Sequence, residues 1–186
     1  MRNLEELSST LKSVVGTDPL IEIPMLRVSE IATSRREVGN ELLSCRVMLV
    51  EDFLWFRNFV RSKLEQCPEV GLICEVSDGL KAVEDATSLQ PDLIMLDIGL
   101  PSLNGIEVAR QLRDLAPDSK IIFLSQETSA VLVKEAIALG AWGYVYKSHA
   151  EADLLPAIDA ALSGRRYVSG DSEPADLPLG EVFDRL

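Results

Sequence analysis

Four short apolar runs in this sequence each end in residues able to do ionic chemistry. RVMLV (46–50) is followed by Glu51 and Asp52, DLIML (92–96) by Asp97, KIIFL (120–124) by Ser125, and GYVY (143–146) by Lys147. If the runs are parallel strands, these side chains gather along the carboxyl edge of one sheet, where open α/β sheets bind their ligands. Three carboxylates in one place repel unless a hard cation neutralises them. Mg2+ suits the set, because it takes oxygen ligands and is usually held by one or two protein carboxylates plus phosphate oxygens. Lys147 adds an ammonium that can pair with a phosphoryl oxygen. Asp97, ending the central run, is then placed as the nucleophile for an aspartyl phosphate. Taken singly, each residue has a plainer use. An acid after a strand starts a turn, a lysine beside a loop is solvated, and Ser125 caps a helix. The four complementary ends together point to phosphoryl chemistry.

The elements that must position these groups are legible in the same stretch. A fifth apolar run, LICEV (72–76), completes a set of strands with helical patterns between them. Phe53, Phe56, Val60 and Leu64 recur on one helical face. Residues 105–115 offer Ile106, Ala109 and Leu112; 129–139 offer Leu132, Ala136 and Leu139; 151–162 offer Leu154, Ile158 and Leu162. Breakers fall where the alternation needs them, among them Pro68, Asp78-Gly79, Gln90-Pro91, Pro101 to Gly105, Pro117-Asp118 and Gly164. Five βα units with right-handed crossovers predict a doubly wound α/β sheet over 45–166. An extension (1–44) precedes it, with an amphipathic stripe at Leu4, Leu7, Leu11 and Val14. An acidic tail (167–186) follows, with a weaker stripe at Leu179, Val182, Phe183 and Leu186.

Composition closes off other classes. The 186 residues are 47% hydrophobic and 26% charged, as in a globular protein. No apolar run approaches the roughly 18 residues of a membrane span. The net charge is −12 and none of the three segments is basic, which disfavours direct nucleic-acid binding, since phosphate neutralisation needs clustered Lys and Arg. Trp55 and Trp142 therefore fit packing better than base stacking. Cys45, Cys67 and Cys74 lack metal-ligand spacing and read as idle thiols in a reducing cytoplasm. No phosphate-binding Gly-Lys loop, dinucleotide turn or nucleophile elbow occurs. Gly99 stands where an Asp-x-Asp phosphohydrolase carries its second acid, so no general acid is available there.

With these residues in view, VMLVEDFLWFR, PDLIMLDIGLPSLNGIEVARQLR, KIIFLSQETS and GAWGYVYKS together resemble the receiver domain of bacterial two-component response regulators. The GAWGYVYKS and SGRRYVS stretches are similar to the NarL/FixJ-type subfamily. The resemblance spans 45–166 and implies a flavodoxin-like (βα)5 fold with strand order 2-1-3-4-5. It makes Asp97 the phosphoacceptor and Glu51, Asp52 and the Gly99 carbonyl the Mg2+ site, with Asp97 sharing the ion. It makes Lys147 the phosphoryl-gripping lysine, Ser125 the switch hydroxyl, and Tyr144 the aromatic that turns inward as Ser125 moves. Pro101 and Gly105 match the loop after the acceptor. The implied function is a phosphorylation-dependent switch rather than a turnover enzyme. Its implied partners are a sensor histidine kinase, a downstream effector and a second copy of itself.

Three points depart from the pattern or leave it open. Gln126 follows the switch hydroxyl where a small residue is common, which predicts an altered phosphorylation or dephosphorylation rate. Output runs either through protein contacts or through a DNA-binding domain outside this chain. A receiver fold that binds partners without phosphorylation is the alternative. His149, the only histidine, reads as an exposed residue at a helix start.

Overall fold

The computed structural model describes residues 45–170; the two apolar stripes expected in the flanks lie outside them. Strands β1 (Cys45–Val50), β2 (Val70–Val76), β3 (Leu93–Asp97), β4 (Lys120–Ser125), β5 (Gly143–Tyr146) and β6 (Tyr167–Val168) alternate with five helices. These are α1 (Leu54–Leu64), α2 (Gly79–Leu89), α3 (Gly105–Leu115), α4 (Ala130–Ala138) and α5 (Ala150–Leu162). The strands form one sheet in the order β2-β1-β3-β4-β5-β6, with every pairing parallel. This is the doubly wound, flavodoxin-like arrangement expected, with a two-residue strand added at the edge.

The near-continuous apolar character of β1 and β3 follows from burial on both faces. Alternate residues serve opposite layers. Val47 and Leu49 face α1 and α5, meeting Phe56, Val60, Leu154 and Ile158. Met48 and Val50 face the other layer, with Ala82, Ala86, Ile106, Val108 and Leu112. β2 is half-buried along most of its length, as an outer strand must be.

Caps set where the helices begin. The Asp78 side chain accepts from Lys81 N–H at the start of α2, and Asn104 from Glu107 N–H at the start of α3. Two glycines let the chain close around Asp97. A Cβ on Gly105 would lie 2.1 Å from the Asp97 carbonyl oxygen, and one on Gly79 would lie 1.8 Å from that of Leu103. The loop between β3 and α3 is thereby pressed against the start of α2, where Ser102 donates to Asp78 and Gly79 N–H donates to Pro101 O. Ser102 takes a positive φ of 63° to do so.

Two aromatic expectations change. Phe53 precedes α1 rather than lining its buried face, and is 57% exposed; Trp55 is 67% exposed rather than packed inside. Helix α1 begins only at Leu54, so Phe53 lies outside the turn periodicity that buries Phe56, Val60 and Leu64. Trp142 does pack against the core, with Lys120 Nζ 4.6 Å from its ring centre.

Candidate functional site

β1 delivers Glu51 and Asp52 at its carboxyl end, β3 Asp97, β4 Ser125, and the turn after β5 Lys147. Because β1, β3, β4 and β5 are consecutive in the sheet, the four ends lie side by side. Glu51 is fully buried, Asp97 and Ser125 are nearly so, and Asp52 is exposed. The adjacent acids thus face opposite environments, one inside the fold and one toward water.

Lys147 ties the buried acids together. Its Nζ lies 2.9 Å from Glu51 Oε1, 2.8 Å from Glu51 Oε2 and 2.9 Å from Asp97 Oδ2. Burial raises the Glu51 pKa above the carboxylate norm, and the Lys147 hydrogen bond opposes the rise while the Asp97 charge adds to it. Backbone donors supplement the ammonium: Phe53 N–H reaches Glu51 Oε1 at 3.1 Å and Gly99 N–H reaches Asp97 Oδ1 at 3.2 Å.

Carboxylate oxygens from Glu51, Asp52 and Asp97 all lie within 4.8 Å of one another. Three carboxylates against one ammonium leave two negative charges, which one divalent cation balances. An all-oxygen donor set with one exposed member fits a hard ion that retains water, as Mg2+ does. A Cβ on Gly99 would lie 3.7 Å from Asp97 Oδ2, so nothing bulkier than backbone crowds the acceptor from that side.

On the hydroxyl side, Glu127, which carried no sequence signal, joins the two expected residues Ser125 and Tyr144 through its backbone. Ser125 Oγ accepts from Glu127 N–H at 3.0 Å, and Tyr144 donates its phenol to Glu127 O at 3.0 Å. Tyr144 is fully buried, its ring already inward while Ser125 Oγ still accepts from Glu127 N–H, rather than waiting on a movement of Ser125 as expected. Burial raises its pKa, and a hydrogen bond with Ser125 partly offsets this. Gln126 points from an exposed stretch of the same loop, and His149 is exposed at the start of α5. Sequence reasoning placed Phe56 only as a core residue, yet its ring lies 5.0 Å from Lys147 Nζ.

An α/β sheet that gathers acids, a hydroxyl and a lysine at one edge defines a receiver, and comparison with known proteins agrees. The response regulator receiver domain pattern matches residues 47–159, and the chain belongs to that family. The nitrate/nitrite response regulator protein NarL of Escherichia coli K12 is 32% identical over 123 residues, covering 66% of this chain and 57% of NarL. The transcriptional regulatory protein YdfI of Bacillus subtilis is 32% identical over 126 residues, covering 68% and 59%. Among solved structures, a LuxR-family two-component response regulator from Aurantimonas superposes with a TM-score of 0.65 at 33% identity, covering 69% of this chain and 91% of that one. The response regulator domain of Thermotoga maritima CheB gives 0.59 at 29% identity, covering 64% and 96%. The chain spans a little over half the length of the curated relatives it matches. Among the described residues, no helix is long and apolar enough to cross a membrane.

Proposed function

We propose that Asp97 accepts a phosphoryl group from the phosphohistidine of a sensor kinase or from a small acyl phosphate. The carrying observation is the Lys147 ammonium, held 2.9 Å from Asp97 Oδ2 and against both oxygens of buried Glu51. An Asp97 carboxylate oxygen attacks phosphorus, the bond to the donor's imidazole nitrogen or carboxylate oxygen breaks, and a mixed anhydride forms. Lys147 passes from the free carboxylate to a phosphoryl oxygen, neutralising charge where it develops. Mg2+, held by Glu51, Asp52, Asp97 and the Gly99 carbonyl, supplies electrostatic stabilisation of the transferring group when bound. Water attack on phosphorus later returns Asp97 and releases inorganic phosphate, so the only chemistry is the chain's own modification.

Ser125 and Tyr144 are the switch pair in this reading. The Ser125 hydroxyl leaves Glu127 N–H for the new phosphoryl oxygens, and the Tyr144 phenol, already joined to the same loop, follows it. A partner that binds one arrangement more tightly reads the change. The domain division proposed is a receiver over 45–166 extended by β6 (Tyr167–Val168), which brings the first residues of the expected tail into the sheet, with 1–44 and the rest of the tail flanking it. The placement is cytoplasmic, and this chain makes no direct nucleic-acid contact.

Treatment with acetyl phosphate and Mg2+, followed by intact-mass measurement, tests the reading. Wild type is expected to gain one phosphoryl group and Asp97→Asn none. An unmodified wild type, or equal modification of both, overturns it.

A further inference from the structure

We propose that Phe56 is a positioning residue for Lys147, holding its ammonium by the face of the aromatic ring. This rests on the reading of Asp97 as phosphoacceptor and Lys147 as its cation. The Lys147 side chain is only 9% exposed, so little water is left to solvate the charge apart from the carboxylates. Its Nζ lies over the Phe56 ring, 5.0 Å from the centroid, inside the range where a ring's negative face attracts a cation. Phe56 is itself 4% exposed and is braced by Phe59, whose ring stacks on it at 5.5 Å. The ring therefore cannot swing away when the ammonium moves.

The choice of a ring has a chemical point. An ammonium has three N–H donors and no other polar capacity. In the resting site it is shared between Glu51 and Asp97, and after transfer it must also serve a phosphoryl oxygen. A polar side chain at position 56 would take one donor and fix its direction. A π face stabilises the charge without accepting a directional hydrogen bond, so the ammonium can pass from carboxylate to phosphoryl oxygen while staying over the same surface. Burial alone explains a large apolar residue here; it does not explain why the charged atom sits over the face.

Fluorinated phenylalanines separate the two roles, since successive fluorines drain the ring face while barely changing its size. The full chain carrying Phe, 4-fluoro-, 3,5-difluoro- and 3,4,5-trifluorophenylalanine at position 56 is loaded with acetyl phosphate at saturating Mg2+. The rate is expected to fall stepwise, roughly three- to tenfold over the series, while Mg2+ affinity and the thermal midpoint stay constant. Phe56→Leu, which keeps an apolar side chain, is expected to fall at least as far. A flat rate across the series overturns the inference, as does a rate that falls only in step with the thermal midpoint. If unsubstituted protein takes up no phosphoryl group, the functional reading fails first, and the two failures are distinguishable.

Discussion

Glu51 and Asp52 are neighbours in sequence and opposites in environment, and that contrast organises the chemistry of the site. Glu51 directly follows β1, whose two faces are both covered, and is buried there, where desolvation raises its pKa and Lys147 holds it. Asp52 faces water and can take up or release an ion. On the outer surface, Glu75 shows the reverse effect. Arg61 grips both its oxygens, at 2.6 and 2.5 Å, and Arg57 stands 3.6 Å away. The Arg61 hydrogen bonds and charge hold the Glu75 carboxyl below its ordinary 4.5, against some desolvation. A depressed folded-state pKa contributes stability above the ordinary value and loses it as pH falls through the folded one. Glu75→Gln is therefore expected to cost up to about 1 kcal/mol at pH 7, the scale of a partly exposed bidentate pair. The gap from wild type should close under acid, and urea unfolding at pH 7 and pH 3.5 measures it; an unchanged gap contradicts the assignment. At this scale the sequence was informative wherever a polar side chain ends a strand: Glu51, Asp52, Asp97, Ser125 and Lys147 all announce themselves there, and the sheet brings those ends side by side. Glu127 did not, because it acts through its backbone N–H and carbonyl. Phe56 hid among ordinary core aromatics.

Helices and strands carry a second set of constraints, sharpest where glycine is obligatory. Gly105 and Gly79 sit where a methyl would overlap backbone at 2.1 and 1.8 Å, whereas Gly140 has open space around it and is constrained only by its φ of 94°. Gly105→Ala and Gly79→Ala are expected to cost about 3 kcal/mol or more through forced backbone movement. Gly140→Ala should cost about 1–2 kcal/mol from conformation alone. Chemical denaturation of the three variants gives the ranking, and a Gly140 variant worse than the other two would contradict it. Gly105→Ala should also slow phosphoryl loading, because the strain falls on the carbonyl of Asp97. Most strands were legible to within two residues, since parallel burial on both faces leaves unbroken apolar runs. Helix α2 was visible mainly through its flanking breakers, because its buried residues are Gly79, Ala82 and Ala86, too small to make an apolar stripe. The strand β6 was invisible for a different reason: two residues carry no periodicity, and it is held by Tyr167 N–H to Trp142 O and Ser169 N–H to Tyr144 O.

The whole described unit is a sheet between two helical layers, and its stable limits follow from what the sheet retains. Residues 167–170 complete it: besides the backbone pairs, Tyr146 N–H donates to Ser169 Oγ at 3.0 Å. The Tyr167 ring packs against the layer of α1 and α5, and burial with an Asp153 hydrogen bond pushes its phenol up to about 12. A fragment of residues 45–170 is expected to unfold about 2 kcal/mol harder than one of residues 45–166, given the loss of these bonds and of Tyr167 packing. Urea titration of the two decides it, and coincident midpoints would make β6 an ornament. The same short strand bears on self-association. A foreign polypeptide seeking an open row of amides and carbonyls meets on that flank a rung of two residues, too brief to serve as a template for cross-β growth. The opposite rim, β2, is longer, but it carries Glu75 clasped by arginine near its end, and a charged clasp there discourages stacking. The described unit can therefore stay strongly sheet-like without offering its margins to fibrils.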